Sequence, residues 1–157
     1  MNGKLIESKS NPFYKKLKKI YSSASFRKKQ NQTILDGPHL IKSFFLHSVP
    51  VSIIKDLNIV SPEIDILIST LDCPCYSLSH ELFSELSELK SSTGILALVD
   101  IPKVKPSKSE GLILLLDGIQ DPGNLGSILR TAKATNTKSI IMSKTCADLW
   151  SPKTLRG

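Results

Sequence analysis

Five consecutive aliphatic residues, Leu112 to Leu116, run into a turn rich in Asp, Gly and Asn, and this junction constrains the chain more than any other stretch. Such a run is the pattern of a strand covered on both faces in a parallel sheet. Beyond the turn, Leu125, Ile128, Leu129 and Ala132 recur at helical spacing, and Ser139 to Met142 reads as the next strand. The prediction is a β–α–β unit. Its polar turn, Asp117 to Gly123, falls at the carboxyl edge of the sheet, where open α/β folds take ligands. Gly118, Gly123 and Gly126 permit positive φ or close backbone approach. No Gly-Lys-Ser/Thr follows, so this is not a Walker A loop, and Gly-x-Gly-x-x-Gly is absent too. From the residues alone, a ligand-binding turn and an ordinary capped turn both remain open.

Upstream, short apolar units alternate. Asn11-Pro12 reads as an N-cap and first helical residue, followed by an apolar face of Phe13, Tyr14, Leu17, Ile20 and Tyr21. Thr33 to Leu35 reads as a strand, Gly37-Pro38 opens a helix facing inward through Leu40, Ile41, Phe44 and Phe45, and Val51 to Ile54 is a strand. Ile64 to Leu71 reads as a helix after Ser61-Pro62, Tyr76 to Leu78 as a strand, and Ser79 caps a helix carrying Leu82, Phe83 and Leu86. Gly94 to Val99 is an apolar strand. This alternation predicts an α/β layered domain. Residues 101–111, with two prolines and three lysines, read as a linker. The organisation expected is a basic helical arm at 1–30, an α/β domain at 31–100, the linker, and a second α/β domain beginning at 112.

The net charge of +7 is local to one end. Residues 1–30 carry nine basic residues against Glu7 alone, whereas residues 31–157 carry twelve basic and thirteen acidic ones. Concentrated positive charge attracts polyanions in a salt-dependent way. Lys15, Lys16, Lys18 and Lys19 fall away from the apolar face of the first helix, and Arg27, Lys28 and Lys29 follow. A membrane-surface helix has a similar pattern, but two tyrosines and about three turns make a weak anchor. No apolar run approaches the ~18 residues of a membrane span, and Met1 to Ser10 has no apolar signal-type core. Cys73, Cys75 and Cys146 lack zinc-site spacing and read as free thiols of a reducing cytosol. His39, His47 and His80 lie far apart in sequence, so no metal site is expected.

Asp121 to Ala132, DPGNLGSILRTA, closely resembles the first motif of the SpoU/TrmH family of RNA methyltransferases. The preceding LLLDGIQ and the later CADLWSPKTLR, ending at Arg156, are similar to the same family in order and spacing. The front, from Asn11-Pro12 through Thr33 to Leu40, resembles its N-terminal substrate-binding domain. The resemblance implies a small ribosomal-protein-like α/β domain followed by the first half of an α/β-knot (SPOUT) methyltransferase domain. It also implies methyl transfer from S-adenosylmethionine to a ribose 2′-hydroxyl of tRNA or rRNA, in the cytoplasm, by a protein that pairs as a homodimer when full length. Asn124 and Arg130 match the family's catalytic asparagine and arginine. A guanidinium stays charged and is a poor base, so Arg130 is expected to hold a phosphate and stabilise a developing alkoxide. Asn124 supplies donors and acceptors to fix the turn and the substrate side. Arg156 joins the seven basic residues above as an expected RNA contact. The family pattern continues into Gly-x-Glu and Ser-Leu-Asn motifs that hold the cofactor, and without that part the strand Leu112–Leu116 is expected to lose parallel neighbours and expose an apolar sheet. The expectation is therefore of a truncated enzyme or a remnant, inactive by itself, with a non-catalytic RNA-binding protein as the alternative.

Overall fold

The computed structural model describes residues 4–87, 93–103 and 110–157. The chain forms two compact units, Met1–Ile101 and Pro102–Gly157. The first contains β1 (Lys4–Ile6), α1 (Pro12–Ser22), α2 (Ala24–Gln30), β2 (Gln32–Asp36), α3 (Pro38–Phe45), β3 (Ser52–Asp56), α4 (Pro62–Thr70), β4 (Cys75–Leu78), α5 (His80–Leu86) and β5 (Ile95–Asp100). The second contains β6 (Ile113–Leu116), α6 (Pro122–Ala134), β7 (Ser139–Met142) and α7 (Pro152–Arg156).

Helix starts follow capping chemistry. Asn11 Oδ1 accepts the N–H groups of Phe13 and Tyr14 at 2.9 and 3.3 Å, and Pro12, which has no N–H to satisfy, takes the first helical position. Ser61 and Ser79 cap α4 and α5 through their hydroxyls.

The five strands of the first unit lie in the order β1-β4-β3-β5-β2, with β5 antiparallel to both β3 and β2 and the remaining pairs parallel. Because side chains alternate across a strand, one face collects Ile6, Ile34, Ile54, Leu78, Leu96 and Leu98. These pack against Tyr14, Leu17, Ile20 and Tyr21 of α1 and Leu82, Phe83 and Leu86 of α5 in one core. α3 packs on β2 and β5 and against α4. At the carboxyl ends of β2 and β3 two aspartates are buried and satisfied, as burial of a charge demands. Asp36 accepts from the hydroxyls of Thr93, Ser87 and Tyr21, and Asp56 from the N–H of Asn58, with His80 Nδ1 2.7 Å from its other oxygen.

Two expectations are corrected, one is met and one falls partly outside the described residues. Residues 1–30 are not a separate arm: β1 pairs in parallel with β4, and α1 supplies four residues to the core. The apolar run at 112–116, composed like a strand covered on both faces, is largely exposed, in agreement with the expectation of an apolar sheet short of parallel neighbours. Among the described residues β6 pairs only with β7, in register Ile113↔Ser139, leaving Leu112, Ile113 and Leu115 exposed. On α3 only Ile41 is buried; Leu40, Phe44 and Phe45 are half-buried. Of the linker expected at 101–111, residues 104–109 lie outside the described residues, and the two units meet in sequence at Ile101 and Pro102.

Candidate functional site

The turn after β6 is organised from α6. Asp121 is the N-cap, its Oδ1 accepting the Asn124 N–H at 2.7 Å, and that hydrogen bond holds its carboxyl below the ordinary carboxylate range. Lys153 at the start of α7 lies 3.7 Å from the other carboxylate oxygen. Gly118 takes a positive φ of 66°, with its N–H donating to Ser143 Oγ at 3.3 Å, which ties this loop to the one after β7. Ala147 N–H donates to Ile119 O at 2.7 Å and closes the same edge.

Gly126 serves the packing of α7 on α6. A β-carbon there would stand 2.3 Å from Thr154 O and 2.7 Å from Gly157 Cα, so only glycine admits the end of α7 against α6. The Ser151 cap of α7 and the Thr154 hydroxyl, bonded to Asp148 O at 2.9 Å, fix α7 in that place.

Asn124 and Arg130 are both exposed on α6. Their side chains make no hydrogen bond or ion pair within the described residues. The structure does not bring them onto one helix face. Six residues at 100° each leave them about 120° apart around the axis and ~9 Å along it. Arg156 stands half-buried in the last turn of α7 and has partners of its own.

The basic residues of the first unit fall into distinct groups. Arg27 is 4% exposed, and its guanidinium donates to Ile20 O at 2.7 Å and Tyr21 O at 2.9 Å. It satisfies carbonyls at the end of α1 and is withdrawn as an RNA contact. Lys18 lies 3.5 Å from Glu85 on α5. Lys9, whose ammonium pKa is raised chiefly by its hydrogen bond to Glu85, is also bonded to that carboxylate and is 3.2 Å from Glu81. Lys15, Lys19, Lys28 and Lys29 are exposed and Lys16 is half-buried, with Lys19 5.8 Å over the Phe26 ring. Sequence reasoning passed over Glu81 and Glu85 because their spacing within α5 gives no sign that they face α1.

Beside α6 lies a cavity of about 310 Å³ lined by Leu112, Leu114, Ile128, Ala132 and hydroxyl residues. It offers no charged group to hold an amino-acid carboxylate and does not fit S-adenosylmethionine. Among the described residues no group of three metal-ligating side chains is assembled, and no helix is long and apolar enough to cross a membrane.

These elements define a two-unit α/β protein of the RNA-methyltransferase fold. The chain superposes on a solved RNA 2′-O ribose methyltransferase with a TM-score of 0.82 at 24% identity, covering 97% of this chain and 60% of that one. It superposes on the SpoU methyltransferase AviRb from Streptomyces viridochromogenes with a TM-score of 0.84 at 24% identity, covering 93% and 58%. Residues 111–157 match the SpoU rRNA Methylase family. Among its relatives, the 23S rRNA (guanosine(2553)-2′-O)-methyltransferase RlmP of Bacillus subtilis is 32% identical over 98% of this chain. The human mitochondrial rRNA methyltransferase 3 is 29% identical over 88%. The chain spans 60% of the Bacillus protein's length and 35% of the human one's.

Proposed function

We propose that the chain is the RNA-binding unit and the leading part of the catalytic domain of an S-adenosylmethionine-dependent RNA 2′-O-methyltransferase acting on rRNA or tRNA. The observation that carries this reading is the α6 segment. Its capping and packing duties fall to Asp121, Gly126 and backbone groups, while the side chains of Asn124 and Arg130 stay exposed without partners among the described residues. Exposed polar groups held on a fixed helix are what a substrate-facing site requires.

On this reading Met1–Ile101 is the ribosomal-protein-like substrate-binding unit, and 102–157 begins an α/β-knot domain. S-adenosylmethionine supplies an activated methyl group. On this reading its binding needs further catalytic-domain residues, and these 157 residues alone are inactive. Arg130 grips a phosphate next to the target ribose and favours alkoxide character at the 2′-oxygen. Asn124 orients the substrate side of the turn. Lys15, Lys16, Lys19, Lys28 and Lys29 contact the RNA backbone, with Arg156 beside the reacting end. The whole protein works as a homodimer in the cytoplasm.

The test is transfer of radiolabelled methyl groups to rRNA and tRNA by the whole protein, followed by nucleoside analysis. Label in 2′-O-methylribose is expected. Label confined to bases, or none in the presence of bound RNA, refutes the reading.

A further inference from the structure

We propose that Glu85 is a built-in competitor for RNA: its carboxylate keeps Lys9 and Lys18 from the phosphodiester backbone and marks one border of the RNA-binding face. The proposal rests on the reading of the α1–α2 surface as that face.

Helical geometry places the lysines of α1 differently. With Leu17 pointing at the core, Lys15 and Lys19 point away from the sheet, each about 160° from it. Lys18 lies about 100° round on the same flank as Tyr14, the side on which α5 packs. There Glu85 is bonded to Lys9, lies 3.5 Å from Lys18, and accepts from the buried Tyr14 hydroxyl at 3.3 Å. An ordinary surface carboxylate swings freely, and its ion pairs contribute little. Glu85 does not swing freely: its side chain is 32% exposed against 76% for Glu81, and a phenol from the core pins it. Held there, the carboxylate occupies the ammonium groups of Lys9 and Lys18, which would otherwise be available to phosphate. The sequence balance of +8 over residues 1–30 therefore overstates what RNA meets.

The experiment measures fluorescence anisotropy of the full chain with a labelled stem–loop RNA over a potassium chloride series. Glu85→Gln keeps an acceptor for Tyr14, which also has Leu82 O at 3.3 Å, so the fold is retained. Binding is expected to tighten about fivefold at low salt, corresponding to ~1 kcal/mol for an exposed ion pair. The slope of log affinity against log salt should steepen by about 0.7–0.9 for each lysine released. Lys9→Gln with Lys18→Gln should leave the parent affinity within about twofold and should abolish the gain when combined with Glu85→Gln. Unchanged binding by Glu85→Gln, or a gain that survives loss of both lysines, overturns the proposal. If Lys15→Gln with Lys19→Gln and Lys28→Gln does not weaken binding, the face itself has been misassigned and both readings fall. If those changes weaken binding but Glu85→Gln does nothing, only the competitor is lost.

Discussion

The carbonyl oxygen of Thr154 occupies the space a β-carbon on Gly126 would need, 2.3 Å from its ideal position. Both partners are backbone, so no side chain can rotate away to relieve the clash. Gly126→Ala should therefore push α7 off α6 at a cost of about 1–3 kcal/mol, the range for overpacking, against a gain of up to ~1 kcal/mol from alanine's helix propensity. Amide hydrogen exchange checks this: residues 151–157 should lose protection while β2–β5 keep theirs. Unaltered protection in α7 would mean the contact is easily relaxed.

Arg27 sits in a run with Lys28 and Lys29 yet has a different task. Its guanidinium closes two carbonyls at the end of α1 from a buried position. Removing a charged donor from buried acceptors costs about 1–3 kcal/mol. Arg27→Ala should lower the denaturation midpoint by that amount, whereas Lys28→Ala and Lys29→Ala should leave stability within ~0.5 kcal/mol and weaken RNA binding. Equal midpoints for all three would remove the structural role.

Much of the architecture was legible because its signals are local. Asn11-Pro12, Ser61-Pro62 and Ser79 mark helix starts, and the short apolar runs Thr33–Leu35 and Gly94–Val99 mark strands. β1 was not legible: three residues, Lys4-Leu5-Ile6, carry no period, and only the parallel pairing with β4 some seventy residues on makes them a strand. Arg27 was hidden by its neighbours, since composition cannot separate a buried cation from two exposed ones. At the candidate site the motif pointed to Asn124 and Arg130. The restriction at Gly126 depends on α7, and the grip of Glu85 on Lys9 spans 76 residues. Contacts of that range follow from the tertiary fold, which no spacing records.

Burial raises the Tyr14 phenol from its ordinary 10.0 to about 12, with the nearby Glu85 carboxylate adding to the shift. A raised folded-state pKa means that the native chain favours the protonated phenol. The associated stability is complete below about pH 10 and is lost as pH rises towards 12. Denaturant midpoints measured across that window should fall more steeply for the parent chain than for Tyr14→Phe, which has no proton to release. Parallel curves would show that Tyr14 does not govern alkaline unfolding.

Arg130 and Asn124 offer a clean separation of folding from chemistry, because neither side chain supports the structure. The α6 cap uses the backbone N–H of Asn124, which Asn124→Ala retains, and Arg130 is exposed. Both variants should unfold with the parent's midpoint. On the proposed function, Arg130→Lys in the whole protein keeps the charge but gives up a planar two-pronged contact to phosphate. If that contact stabilises the developing alkoxide, transfer should fall about 10²–10³-fold, the loss typical of one electrostatic donor, while RNA affinity changes little. Asn124→Ala should act in the same direction, and the double variant should lose less than the product of the two, as groups serving one transition state do. Full additivity would place them in separate roles. A near-normal rate for Arg130→Lys would return Arg130 to an ordinary surface arginine.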